Sequence, residues 1–436
     1  MKEKMKLISA ALALLFVFAV LPLSALKASA AMNAPERTVP AGYNAHDYNA
    51  CAAFLELTDA NGTKNGTKLS DNYNVNDPAT WGTSYGPDED WNYTYVPCFS
   101  WYDNGSELVL RRVCVEDRSL CGDLDLSDCS ALYLVHCPIN QLTGLDVSGC
   151  ASLEYLTCYG NSFGELNVSG CTALTNLDCA STGITELDIS DCTALLSVTC
   201  QINELTELDV SHCTALTYLH CEHNRLTSLD VSNCADLNML FCFENELTEL
   251  DVHGAAALDR LNCYDNALTE LDLSANTQLT YLDATGNRLR ALQLPSDGIL
   301  PLKTVLAEGR GAFDCEIYFS ASDVTMHAFP EADEEFLGWY GENDEMLSNG
   351  TTFTGAYSGQ SMITARFSSN AIVPGSGDID GDGVMTATDA LLALRYAMGI
   401  VDLTPEQLAG ANVNGDGLVD ASDALIILRM AMDLVA

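Results

Sequence analysis

Between Leu120 and Pro295 the apolar positions recur every 21 residues. Residues 205–225 form one unit, and residues 226–246 repeat it at Leu226, Leu229, Asp230, Val231, Ser232, Cys234, Leu237, Leu240, Cys242 and Asn245. Eight such units can be laid out, with others opening at Leu142, Phe163, Ile184, Leu247 and Leu268. Within a unit, Tyr218-Leu219-His220-Cys221-Glu222 alternates as a half-buried strand does, with Leu219 and Cys221 inward. A unit this short cannot bury its own leucines, so copies must stack and share a core. The strands are expected to form one parallel sheet, with coils about 4.8 Å apart. A shorter strand is predicted on the opposite side, over residues 226–232. There Asp230 and its equivalents face outward in a column of like charge, which costs stability unless turn hydrogen bonds or a cation offset it. Asn140, Asn161, Asn203, Asn224, Asn245, Asn266 and Asn287 follow the front strands. Their amides are placed to bond backbone groups of neighbouring coils that would otherwise be buried unpaired.

The run Leu216-x-x-Leu219-x-Cys221-x-x-Asn224-x-Leu226 resembles the leucine-rich-repeat pattern. That resemblance implies a β-solenoid with a parallel sheet and few helices. The cysteines fit it. Cys129, Cys150, Cys171, Cys192, Cys213 and Cys234 share one repeat position, and Cys137, Cys158, Cys179, Cys200, Cys221, Cys242 and Cys263 share another. They replace small apolar core residues, as buried free cysteine does. Six and seven make an odd total, so complete pairing within the array is impossible. Stacked side chains also stand at the coil spacing, wider than the ~3.8 Å Cβ separation of a disulfide. The array is expected to be reduced, and without clustered C-x-x-C pairs it does not read as a metal site. Cys51, Cys98, Cys114, Cys121 and Cys315 lie outside the columns, and one or two bridges among them stay open.

The ends of a solenoid are apolar and need lids. Residues 31–119, with a strand predicted over 107–114, are expected to be the N-terminal cap of a solenoid spanning 120–295. The period is lost after Pro295. Residues 315–319, 324–329 and 362–367 read as strands, with Phe336-Leu-Gly-Trp-Tyr340 between them. The F-x-G-W segment and the final T-A-x-F strand resemble the small β module related to internalin B repeats, which implies a spacer or solenoid cap over 296–367. Trp339 is expected in its core.

After a Ser/Gly/Pro linker at 368–377, the chain carries Asp378-x-Asp380-x-Asp382-Gly383 with Asp389 at loop position 12. Three carboxylates on one loop, the Val384 carbonyl, a water held by Thr386 and a bidentate Asp389 make an oxygen set suited to Ca2+. A second copy offers Asn412, Asn414, Asp416, the Leu418 carbonyl, Asp420 and Asp423. It is less charged at its first two ligands, so weaker binding is expected there. Each loop runs into an apolar helix. No helix precedes the first loop, and position 12 is Asp rather than the Glu of ordinary EF-hands. These departures resemble a type I dockerin, a small all-α module of two duplicated loop–helix segments that holds two Ca2+ ions. The resemblance covers 378–436 and implies a cohesin module of a scaffold protein as partner. Cohesin recognition in that family falls on loop positions 10 and 11 and on later basic residues. These map to Ala387, Thr388 and Arg395, and to Ala421, Ser422 and Arg429.

Acidic residues outnumber Lys and Arg 61 to 19, a formal net charge of -42. Such a surface repels phosphate backbones and anionic lipid, which argues against nucleic-acid and membrane-surface partners. Lys2, Lys4 and Lys6 precede an apolar stretch over 7–26, and Ala28-Ser29-Ala30 supplies the small residues of a signal-peptide cleavage site. Residues 1–30 therefore predict a secreted, extracellular protein, at a cell surface or in a cellulosome-like complex. No later stretch approaches the ~20 apolar residues of a membrane span.

No catalytic motif stands out. His136, His212, His220, His223 and His253 fall at repeat positions expected to face solvent. Tyr218, His220, Glu222, Met239, Phe241, Phe243, Arg260, Tyr264 and Tyr281 are expected to line the outer strand face of adjacent coils, as a surface for protein or polysaccharide. The leading expectation is a non-catalytic binding subunit of a polysaccharide-degrading complex. The alternative is a dockerin-borne carbohydrate-active enzyme or protease inhibitor.

Overall fold

The computed structural model describes residues 38–88, 92–295, 302, 304–308, 311–318, 323–331, 334–356, 361–367, 375–380, 385–414 and 417–432. The leader expected at 1–30 and most of the linker at 368–377 lie outside them, as do Asp382, Val384 and Asp416.

The 21-residue period builds a parallel β-solenoid. Its front is a 13-stranded sheet whose central strands, from Leu108–Cys114 to Tyr281–Asp283, run parallel. Register follows the repeat, so that Leu177, Val198, Leu219, Leu240 and Leu261 stack one above another. The back carries shorter parallel pairs, such as Ser228–Asp230 with Glu249–Asp251. This is the leucine-rich-repeat architecture the sequence implied, and one continuous apolar core runs through it.

The asparagines close the coils. Asn224 Nδ2 donates to Cys200 O and Cys221 O at 3.0 Å each, and its Oδ1 accepts from Leu205 N at 3.0 Å. Asn203, Asn245 and Asn266 each donate to the same two carbonyls of their coils. Thr182 holds the equivalent position in one coil, its hydroxyl 2.8 Å from Cys179 O and 3.1 Å from Asn203 Oδ1. The residue before each asparagine takes a left-handed backbone, including Ile139 and Ile202 at φ 54 and 56. Branched residues rarely adopt that conformation. Here the asparagine bonds on both sides hold the turn in place.

The column of back-face acids is offset as the turn chemistry requires. Asp188, Asp209, Asp230 and Asp272 each accept the backbone N–H two residues on. The Ser190 and Ser211 hydroxyl and N–H groups hold the Asp188 and Asp209 carboxyls below their ordinary range.

Both ends of the solenoid are covered by chain that shares its core. At the N-terminal side, α1 (Ala45–Leu55) and α2 (Asn65–Leu69) flank the first coil, and Tyr48, Phe54, Leu55 and Trp81 are buried there. Asn44 caps α1 by accepting from Asp47 N. At the other end both solenoid sheets continue. Ala312–Tyr318, Asp323–Phe329 and Thr352–Ala356 extend the front sheet with antiparallel strands. Thr304–Glu308, Met362–Phe367, Phe336–Gly341 and Met346–Ser348 extend the back. Trp339 is fully buried and its indole N–H donates to Gly350 O at 3.1 Å.

A first surface expectation fails at His136. His136 is 4% exposed. A hairpin of Thr83–Pro87 and Tyr93–Pro97 lies over the first coils, buries Val96 against Cys114 and Leu134, and sets Tyr93 against the His136 ring. His136 Nε2 sits 3.2 Å from Glu116 Oε2, and burial lowers its pKa. The repeat predicted an open position, and the hairpin came from outside the repeat.

All 18 cysteines are thiols, and all but Cys121 are buried. Burial pushes Cys98, Cys114 and Cys137 up to about 12. Several buried thiols contact carbonyls of the preceding coil, such as Cys150 Sγ to Leu126 O at 3.1 Å.

Candidate functional site

The C-terminal module has a small core of its own, formed by Ile379, Ala390, Ala393, Ala411, Ala424 and Ile427. Three helices surround it, α3 (Ala387–Ala397), α4 (Pro405–Ala411) and α5 (Ala421–Ala431). Thr386, Thr404 and Asp420 start them with capping boxes. Small alanines on facing sides of α3 and α5 let the two helices pack against each other. Gln407 of α4 reaches back to donate to Ile379 O at 3.2 Å, tying the connecting helix to the first loop.

Asp389 organises that loop. It is fully buried. Its Oδ1 accepts from Ile379 N at 2.7 Å and Asp380 N at 3.0 Å, and its Oδ2 accepts from Thr386 N at 2.8 Å. Both ends of the loop are thus fixed to the first turn of α3. Asp378, 8% exposed, and Asp380, exposed, each bring a carboxylate oxygen within 4.8 Å of the other and of Asp389. Three hard oxygens converging from one loop fit a calcium ion, which prefers carboxylate and carbonyl donors.

The second loop repeats the frame. Asp423, also fully buried, accepts from Val413 N at 3.0 Å, Asn414 N at 3.2 Å and Asp420 N at 3.1 Å. Asn412 is half-buried, while Asn414 and Leu418 are exposed. Asp420 spends one oxygen on Ser422 N at 2.6 Å.

Ala387, Thr388 and Arg395 are exposed on α3, and Ala421, Ser422 and Arg429 are exposed at the matching places on α5. The sequence reading missed what lies between them. Leu391 and Leu394 of α3 face Leu425 and Leu428 of α5 across a groove of about 420 Å3 floored by Ala390 and Ala424. Leu391 and Leu425 are 45% and 49% exposed. The signal was legible. Leucines at helical spacing beyond the alanine stripe have no partner inside so small a module.

The front face of the solenoid divides the other singled-out residues into two ring groups. Tyr218 and His220 stack at 4.4 Å, and Phe241 meets the His220 ring edge-on at 4.4 Å. Phe243 and Tyr264 stack at 4.4 Å, with Tyr264 Oη donating to Glu244 at 3.1 Å. Met239 lies in register between Tyr218 and the exposed Arg260. Tyr281 turns toward Glu316 of the C-terminal cap, at 3.2 Å. Glu222 is on this side but only 6% exposed, its Oε1 3.2 Å from His220 Nδ1.

The chain is thus a leucine-rich-repeat β-solenoid with a β cap and a C-terminal helical module of paired carboxylate loops. Residues 376–430 match the dockerin type I domain, a calcium-binding family whose partner is a cohesin. No curated protein matches the chain. Among solved structures, the functional domain of InlJ from Listeria monocytogenes, described as including a cysteine ladder, is 22% identical. Its TM-score is 0.33, over 56% of this chain and 78% of that one. The internalin InlF from the same organism is 24% identical, with a TM-score of 0.30, over 35% of this chain and 47% of that one. Internalin C2, again from Listeria monocytogenes, is 20% identical, with a TM-score of 0.32, over 37% and 78%. The chain thus spans about half the length of InlF. Among the described residues no helix is long and apolar enough to cross a membrane.

Proposed function

We propose that this is a secreted, non-catalytic binding protein that docks on a cohesin-bearing scaffold and presents the solenoid front face to a protein or polysaccharide, within a polysaccharide-degrading complex. The observation that carries the reading is the dockerin match over two copies of one loop frame, in which Asp389 and Asp423 pin their loops identically. Two calcium ions are assigned. Asp378, Asp380, Asp382, Val384, Thr386 and Asp389 hold the first. Asn412, Asn414, Asp416, Leu418, Asp420 and Asp423 hold the second, more weakly. Bound there, calcium would supply the positive charge that offsets the loop carboxylates. The chain's own residues orient the loop and begin the helices.

Cohesin engages Ala387, Thr388 and Arg395, or equally Ala421, Ser422 and Arg429. The near-identity of the two faces supports either helix as the leading one. The leucine groove between them adds an apolar centre of the kind that anchors protein interfaces. Cleavage after Ala30 would place the module boundaries at 31–119, 120–295, 296–367 and 378–436. Binding of the mature chain to arrayed cohesins and glycans, with and without EDTA, tests the reading. Calcium-dependent capture by at least one cohesin is expected. Capture that persists in EDTA, or polysaccharide hydrolysis by the chain lacking residues 378–436, would overturn it.

A further inference from the structure

Outside the front-face ring groups and the C-terminal module, the chain sets two arginines at one cavity. Strand Phe99–Asp103 pairs with Leu108–Cys114 in a register that jumps from Ser100 opposite Arg112 to Trp101 opposite Leu110. Arg111 is the extra residue of a β-bulge. Successive strand residues ordinarily point to opposite faces. The bulge re-aims one of them, so Arg111 and Arg112 line the same cavity, about 340 Å3 in volume.

Arg112 is 8% exposed. Its guanidinium donates only to neutral groups, Pro87 O at 3.3 Å and Ser100 Oγ at 3.4 Å, and among the described residues it has no carboxylate partner. Buried arginine is almost always paired with an acid. Among the described residues it stands without an acid, in a chain of net charge -42. Arg111 is exposed, lies 4.5 Å over the Tyr133 ring, and makes one long contact to Ala131 O at 3.5 Å. Asp88 also lines the cavity, its carboxylate engaged by the Asn92 backbone and side-chain amides. Tyr102, 57% exposed, flanks the opening.

We propose that this cavity binds a carboxylated sugar. The carboxylate lies on the paired guanidiniums, whose planar forks match it bidentately. The sugar ring lies against Tyr102, with Ser100 available to a hydroxyl. The cavity is at the lower end of ordinary small-ligand sites, which suits a ring-bearing acid better than an extended peptide. The proposal does not depend on the front-face reading.

Calorimetry of the full chain with trigalacturonate, its methyl ester, a tetraglutamate peptide and inorganic phosphate tests it. Trigalacturonate is expected to bind; the neutral ester should be weaker by about tenfold or more, the effect of losing one charge-assisted contact, and the peptide, which keeps its carboxylates but brings no sugar ring to Tyr102, should be weaker as well. Arg111→Gln and Arg112→Gln should each weaken uronate binding by about tenfold, and Arg288→Gln, at an exposed ion pair with Glu331, should leave it unchanged. If Arg112→Gln lowers the melting temperature, exposed Arg111→Gln decides alone. Absence of uronate binding overturns the site. So does equal affinity for ester, peptide or phosphate, or no loss in Arg111→Gln.

Discussion

Asn224 in the solenoid and Asp389 in the C-terminal module do the same job in two settings. Each is buried at a turn and collects backbone groups from both sides of it. The amide of Asn224 both donates and accepts, so it satisfies two carbonyls and an N–H without any charge. The carboxylate of Asp389 only accepts, and it leaves a buried negative charge beside Asp378 and Asp380. An uncompensated buried charge is costly, whereas a neutral, fully bonded amide is not. The solenoid is therefore self-sufficient. On the proposed reading, the module needs a cation to finish its loop.

Breaking that contrast at Asp389 should have the largest effect. Asp389→Ala strips three N–H groups of their acceptor and removes a proposed calcium ligand, a loss of about 3 kcal/mol or more. The α3 and α5 signal should disappear from far-UV circular dichroism, while the solenoid melts as before. Asn224→Ala comes next. It orphans two buried carbonyls and one N–H and should destabilise the solenoid by about 2–3 kcal/mol in urea, with calcium binding untouched. Thr182→Asn, which supplies the amide this coil lacks, should move stability by under about 1 kcal/mol.

The thiols sharpen the comparison by pH, since none lies in the module. Cys98, Cys114 and Cys137 are raised from an ordinary 9.0 to about 12 in the fold. A raised thiol pKa means the unfolded state loses its proton first. Their stabilising contribution is full below pH 9.0 and is lost as pH climbs toward 12. The solenoid transition should fall across that window. Native thiol labelling at neutral pH should modify Cys121 alone, and labelling in denaturant all 18 cysteines. The smallest effect is expected at the docking face. Arg395→Glu alone should weaken cohesin binding less than about threefold, because α5 offers an equivalent face, whereas reversing Arg429 as well should weaken it by about tenfold or more.

The solenoid was legible because one 21-residue pattern sets strand, turn and core at once, and each copy confirms the next. The two loop frames at Asp389 and Asp423 were legible because their spacing is itself sequence. What escaped reading lies outside any repeat. α1 mixes polar and apolar residues on all sides, since the helix is held by the first coil rather than by its own pattern. His136 was misread because a hairpin some 40 residues upstream covers it. Glu222 followed the outward alternation and yet is buried under neighbouring rings. The Arg111–Arg112 pair was invisible, because alternation predicts opposite faces and only the bulge unites them.

Scanning calorimetry of the full chain with calcium and then with EDTA tests the central contrast most directly. Two transitions are expected, and chelation should lower only the one carried by residues 375–432. Both transitions shifting together, or neither, would contradict it.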